Sequence, residues 1–117
     1  MKRRFVAGAA CAGALAVGGL ALAAAPIKLT GAVGPGFTIG LKNAKGQKVT
    51  TLKPGRYTFA VSDKSDIHDF HLKGPGVSKE ITDVEFKGAK SVTLTLKAGK
   101  YTYLCTVHGF KGTFTVK

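Results

Sequence analysis

Residues 91–116 run Ser91-Val-Thr-Leu-Thr-Leu96, Lys97-Ala-Gly99, Lys100-Tyr-Thr-Tyr-Leu-Cys105, Thr106-Val-His108-Gly-Phe-Lys-Gly112 and Thr113-Phe-Thr-Val116. Val92, Leu94 and Leu96 alternate with Ser91, Thr93 and Thr95. Tyr101, Tyr103 and Cys105 share one face of the next run, and Phe114 and Val116 share one face of the last. A side-chain period of two is the signature of a half-buried strand, because successive Cβ atoms point to opposite faces of a sheet. Gly99 and the Gly109–Gly112 stretch break the runs where the chain must turn. These residues therefore predict three short strands and leave no room for a helix.

The same pattern extends upstream. Phe37, Ile39 and Leu41 alternate with small or polar residues, and Tyr57, Phe59 and Val61 alternate with Arg56, Thr58 and Ala60. Gly34-Pro35-Gly36, Pro54-Gly55, Gly74-Pro75-Gly76 and Gly88 punctuate the runs at short intervals, and no long window has a helical period. Many short strands with turn signals between them predict an all-β, Greek-key sandwich of two sheets. One internal echo supports it: Thr51-Leu-Lys-Pro-Gly-Arg-Tyr-Thr-Phe59 returns as Thr95-Leu-Lys-Ala-Gly-Lys-Tyr-Thr-Tyr103. From about Ser78 to Lys90 the alternation weakens and Glu80, Asp83 and Glu85 gather, which reads as a connecting loop with at most a short strand.

The chain has 117 residues, enough for one small domain. Its 18 Lys plus Arg against 6 Asp plus Glu give a formal charge of +12. Two Cys make no disulfide scaffold, and the absence of a Cys-x-x-Cys pair excludes a zinc ribbon. Met1-Lys-Arg-Arg4 followed by an apolar, Ala-rich run to Ala25 reads as a secretory signal over residues 1–24, with residues 25–117 the exported domain. An uncleaved membrane anchor is the alternative, and the only route to membrane attachment. Export makes the expected location periplasmic or extracellular. It removes Lys2, Arg3, Arg4 and Cys11, leaving 15 basic and 6 acidic residues, a charge of +9, and Cys105 as a lone thiol. A lone thiol in an oxidising compartment must be buried, paired with another chain or occupied by a ligand.

The three His lie beside that thiol or in one upstream stretch. His68 and His71 stand in Ile67-His-Asp-Phe-His-Leu72, and His108 follows Cys105 in Cys105-Thr-Val-His108. Thiolate and imidazole donors from two segments suit copper or zinc, and a trigonal His₂Cys set is most often a copper site. Each residue also has a plain reading: His68 as a half-buried core His, Cys105 as an inert core thiol, and His71 as a surface residue, since three positions along a strand turn it to the face opposite His68. Tyr101, Tyr103, Phe59 and Phe114 read as core. A thiol nucleophile with a His base is thinly supported, because no oxyanion donor accompanies it. Basic charge without a nucleic-acid motif argues against nucleic-acid binding.

The run Tyr101-Thr-Tyr-Leu-Cys105-Thr-Val-His108 resembles the copper-ligand loop of the cupredoxins, the blue-copper family of plastocyanin, amicyanin and azurin, and His68-Asp-Phe-His71 resembles their upstream ligand stretch. The closing Lys111-Gly-Thr-Phe-Thr-Val116 is similar to their last strand, so the resemblance spans roughly residues 36–117. It implies one copper ion, cycling between Cu(II) and Cu(I), held by His68, Cys105 and His108. Two residues depart from the pattern. There is no Met after Met1, so the weak axial ligand of the family is missing, and its place falls to Phe110 or, in a shifted alignment, Lys111. Asp69 stands where the family has an Asn; it accepts hydrogen bonds but, ionised, donates none, and the backbone N–H of Thr106 is its expected donor.

The resemblance implies a small exported, non-enzymatic copper protein that carries single electrons. Its partner is expected to be an acidic redox protein or the anionic envelope surface, and the protein itself a monomer. Copper sequestration or delivery, without electron transfer, is the alternative.

Overall fold

The computed structural model describes residues 24–117; the expected signal segment lies, but for its last residue, outside them. Every regular element among the described residues is a strand: β1 (Ile27–Val33), β2 (Ile39–Lys42), β3 (Thr51–Leu52), β4 (Gly55–Asp63), β5 (Phe70–Gly74), β6 (Val77–Thr82), β7 (Gly88–Leu96), β8 (Gly99–Leu104) and β9 (Lys111–Val116). They form a four-stranded sheet in the order β2-β1-β4-β7 and a five-stranded sheet in the order β3-β9-β8-β5-β6. Strands β1 and β4 pair in parallel, as do β3 and β9, while the remaining ladders are antiparallel. After the β5–β6 hairpin the chain crosses to β7 in the other sheet and returns to lay β8 against β5. That return is a Greek-key connection, and the architecture is the one expected from the strand pattern.

The alternation read from the sequence becomes burial. Tyr57, Phe59 and Val61 of β4 face Leu29 and Val33 of β1 and meet Phe70, Leu72, Tyr101, Tyr103, Phe114 and Val116 of the other sheet in one continuous core. Within the five-stranded sheet the rings of Phe70 and Tyr103 stack at 5.7 Å, and those of Tyr101 and Phe114 at 5.3 Å. Tyr103 lies across the backbone of Gly112, its cross-strand partner. A Cβ at position 112 would overlap the Tyr103 ring, so only Gly fits beneath it.

The repeated sequence has a physical cause. Both copies are corners at which the chain passes from one sheet to the other, β3 to β4 and β7 to β8. In each, a Tyr hydroxyl donates back to the carbonyl four residues earlier: Tyr57 to Lys53 at 2.6 Å, and Tyr101 to Lys97 at 2.8 Å. A buried phenol thus closes each turn while its ring joins the core.

Two readings of the sequence are corrected. The run at Phe37 is not strand: β2 begins at Ile39, and Phe37 sits in the preceding bend, 64% exposed. The Gly34-Pro35-Gly36 cluster ends regular pairing there, and Gly34 N–H instead bonds the Thr38 carbonyl at 2.9 Å. The stretch from Ser78 is loop only from Asp83 to Lys87, and the strand before it is longer than the weak alternation suggests. Val77–Thr82 forms β6, whose alternation is masked by a bulge opposite Phe70 and His71. The extra residue shifts the face on which each side chain falls, so a period-two reading loses it.

Candidate metal centre

Three elements bring the donors together. The segment entering β5 carries His68, the end of β8 leads into Cys105, and the tight loop after it carries His108. That loop is closed by its own backbone: Gly109 N–H donates to the Cys105 carbonyl at 2.7 Å, and Cys105 N–H to the Phe110 carbonyl at 3.0 Å. Gly109 takes φ +80°, a left-handed turn that favours glycine and folds His108 back over the thiol. The β8–β5 ladder pairs Leu104 with His71, so continuing it sets Cys105 and Thr106 beside Phe70 and Asp69.

Cys105 Sγ lies 3.7 Å from Nδ1 of His68 and 3.7 Å from Nδ1 of His108, and the two Nδ1 atoms are 3.1 Å apart. The point equidistant from these three atoms is about 2.0 Å from each, the length of a bond from copper or zinc to nitrogen and slightly less than one to sulfur. Three lone-pair donors facing one point at bonding distance form a set that fits a single metal ion, and this is the one such cluster among the described residues. His68 and Cys105 are fully buried, whereas His108 is exposed. With Nδ1 of His68 turned to the cluster, its Nε2 is buried and meets no acceptor; Oδ2 of Asp63 is the other such buried side-chain atom among the described residues.

Phenyl rings close the cluster from the sides. Phe110 packs edge-on against His68, with ring centroids 4.9 Å apart, and Phe37 packs against His108 at 4.6 Å and His68 at 5.1 Å. Of the two residues weighed for the axial place, Phe110 is the one at the cluster. Lys111 opens β9 opposite Leu104 and is exposed. A phenyl ring supplies no lone pair, so its contribution is to exclude water.

Asp69 ties the two ligand segments together. Its Oδ1 accepts the backbone N–H of Thr106 at 2.7 Å and its Oδ2 accepts the Thr106 hydroxyl at 2.6 Å. Asp69 is fully buried, which by itself would raise its pKa, but the bonds from Thr106 and from Glu80 outweigh burial and hold the carboxyl below its ordinary range. The bridging role expected of this residue is thus filled by an acceptor-only side chain.

His71 stands apart from the cluster. It points to the outer side of the five-stranded sheet, with Nδ1 3.1 Å from Glu80 Oε1 and Nε2 3.0 Å from Ser78 Oγ. Burial lowers its pKa, and Lys73 adds to that shift against the opposing pull of Asp69.

Sequence reasoning missed Phe37 and Glu80 as neighbours of this site. The turn cluster before Phe37 was the available signal that it leaves the strand. Glu80 left none, because the bulge hides its facing.

No protein-family model matches the chain, and no curated protein matches it. Among solved structures it matches rusticyanins and amicyanins. The chain is similar to rusticyanin. The rusticyanin of Thiobacillus ferrooxidans is 26% identical over 77% of this chain and 76% of that one, with a TM-score of 0.44. A Met-to-Leu variant of rusticyanin is 24% identical over the same shares, with a TM-score of 0.47. A Met-to-Gln variant of amicyanin with Cu(I) is 19% identical over 77% of this chain and 82% of that one, with a TM-score of 0.46.

Proposed function

We propose that this chain is an exported cupredoxin that carries single electrons on one copper ion held by His68, Cys105 and His108. The observation that carries the reading is the triangle of one sulfur and two imidazole nitrogens whose centre lies at bonding distance from all three. Copper bound there supplies one-electron exchange between Cu(II) and Cu(I). The protein's own part is to hold the donors still. His68 and Cys105 are anchored in the core between two sheets, and the Asp69–Thr106 bonds lock their segments together, so the donor positions do not depend on which ion is present. Burial in the sandwich, with Phe110 packed on His68, keeps water from His68 and Cys105, which with the missing Met leaves a weakly donating surround of the kind that favours Cu(I). Asp69 adds a negative charge nearby, which works in the opposite direction.

His108 is where electrons would enter and leave, being the one donor at the surface. Around it Phe37, Val107 and Ile67 are 64%, 56% and 49% exposed, an apolar rim against which a partner could seat without desolvating charge. The excess of basic residues would speed encounter with an acidic redox protein. Export fits the basic, Ala-rich opening of the chain and the lone thiol that a bound metal would protect.

The test is to add Cu(II) to the purified domain. An intense visible thiolate-to-copper band is expected, lost in Cys105→Ser with the circular dichroism of the sandwich unchanged. Copper bound with only a weak band would favour sequestration or delivery, and no binding would overturn both readings.

A further inference from the structure

Charge is divided along the length of the sandwich. All six acidic residues fall between Asp63 and Glu85. In the four-stranded sheet Val33, Asp63 and Gly88 stand side by side at one end, and Ile27, Tyr57 and Leu94 near the other. In the five-stranded sheet Leu104 pairs with Lys111 at the first end and Gly99 with Val116 at the second. The segment from Asp63 to Phe70 joins the sheets at the first end, beside Cys105 and His108, while the β3–β4 and β7–β8 corners join them at the second. Asp63, Asp66 and Asp69 lie in that first connection, Asp83 and Glu85 in the loop that enters β7 at the same end, and Glu80 on β6 opposite His71. The second end has no acidic side chain.

Six bases gather at that second end: Lys28 near the start of β1, Lys53 and Arg56 at the β3–β4 corner, Lys97 and Lys100 at the β7–β8 corner, and Lys117 after β9. All six are exposed, and the only ion-pair contact among the described residues, His71 with Glu80, lies elsewhere. Ile27 stands among them 57% exposed. Beside it a hollow of about 300 Å³ is lined by Ala24, Ala25 and Pro54 and edged by Arg56. Arg56 Nη1 donates to the Ala24 carbonyl at 3.4 Å, so the chain arrives at this end from the apolar run that precedes Ala24 in the sequence. We propose that this basic end docks on an anionic phospholipid bilayer, with the Lys and Arg heads on lipid phosphates and Ile27 at the interface, and leaves His108 free at the far end.

Three features select a bilayer over an acidic protein. The bases come from separate turns and are spread over the tip of the sandwich; mobile headgroups can reach each of them, whereas a folded acidic partner would need carboxylates fixed at matching places. An apolar side chain among bases is the combination that interfacial binding uses, adding buried apolar area to attraction for anionic lipid. The chain also enters here from an apolar run, so a membrane that meets that run lies on this side. The acids at the opposite end set the orientation, because an anionic surface repels that end and attracts this one. Strand β4 spans the two ends in nine residues, roughly 26 Å. That length holds the metal centre clear of the headgroups, where a redox partner can reach it. The surface itself does not depend on the metal, so the inference goes beyond the copper reading.

Residues 25–117 contain both sheets and the core between them, so this domain is used, metal-free, with vesicles of phosphatidylcholine alone or mixed with phosphatidylglycerol. Wild type should co-sediment with the mixed vesicles only, and less as salt rises. Each basic residue near an anionic membrane strengthens binding about fivefold, so Lys28→Glu, Lys53→Glu and Lys100→Glu together should weaken it about 100-fold or more. Lys64→Glu, Lys87→Glu and Lys111→Glu make the same change of net charge at the metal-centre end and should weaken it less than about tenfold, since that end lies beyond the screening length of about 8 Å. A paramagnetic lipid should broaden the amide signals of Lys28, Lys53 and Lys100 and leave those of Thr106 to Phe110 sharp. Equal losses in the two triple variants, no preference for phosphatidylglycerol, or broadening at the His108 end would overturn the proposal. Binding of poly-glutamate without binding of vesicles would also overturn it, assigning this end to an acidic protein. Should the first triple variant lose its circular dichroism, the broadening pattern in wild type decides. Failure to bind copper leaves this result standing, and failure to bind vesicles leaves the copper reading untouched.

Discussion

His68 and His71 are three residues apart on one segment and live in different worlds. His68 is fully buried on the inner side of the sheet, its Nδ1 facing a thiol and a second imidazole. His71 stands on the outer side, between Glu80 and the hydroxyl of Ser78. The inner side is apolar, aromatic and closed, and offers donors with almost no competing partners. The outer side is polar, and each group there has a neighbour to bond. Where a residue falls in the two-residue repeat of the strand decides which of these roles the same imidazole takes. Asp69 joins the two regions, since its position belongs to the outer face while its bonds hold the inner loop.

The comparison is broken most directly by exchanging the fates of the two histidines. His68→Ala should abolish stoichiometric copper binding, measured by calorimetry or by metal content after desalting. The converse result, binding lost in His71→Ala and kept in His68→Ala, would reverse the assignment of inner and outer roles. The joint between the regions comes next. Asp69→Ala removes both bonds to Thr106 and should weaken copper affinity about 10–100-fold, the usual range for an outer partner of a metal ligand; a competition titration against a chelator reads it. Gly112→Ala sharpens the picture of a tightly filled inner side. The new methyl group meets the Tyr103 ring and should cost about 1–3 kcal/mol, read as a lower denaturation midpoint. The smallest effect belongs outside: His71→Ala should leave copper stoichiometry unchanged, since its ring bonds Glu80 and Ser78 and not the cluster.

Much of the fold was legible because burial in a sandwich imposes a two-residue period. The core residues Phe59, Tyr101, Tyr103 and Phe114 were all identified from it. The echoed corners were visible as well, although their cause, a Tyr hydroxyl closing each turn, appears only with the third dimension. Period two failed at β6, where a bulge adds a residue, and at Phe37, where a turn cluster releases the chain from pairing. At the centre, residue types and spacing singled out His68, Cys105 and His108 as a candidate set. They could not say that a phenyl ring from the distant β1–β2 connection would pack on it, or that Glu80 would meet His71 on the other side of the sheet.

The sequence alone determined the two-residue alternation of most strands, the chemical nature of the donors and the absence of a Met after Met1, because each of these is a local property of residue type and order. Tertiary structure decided which donors meet, which are buried and which is exposed, and how the Asp69 carboxyl comes to hold Thr106 in the loop after the thiol. Those are distances between residues far apart in the chain, fixed only when two sheets pack and a Greek-key return brings β8 beside β5.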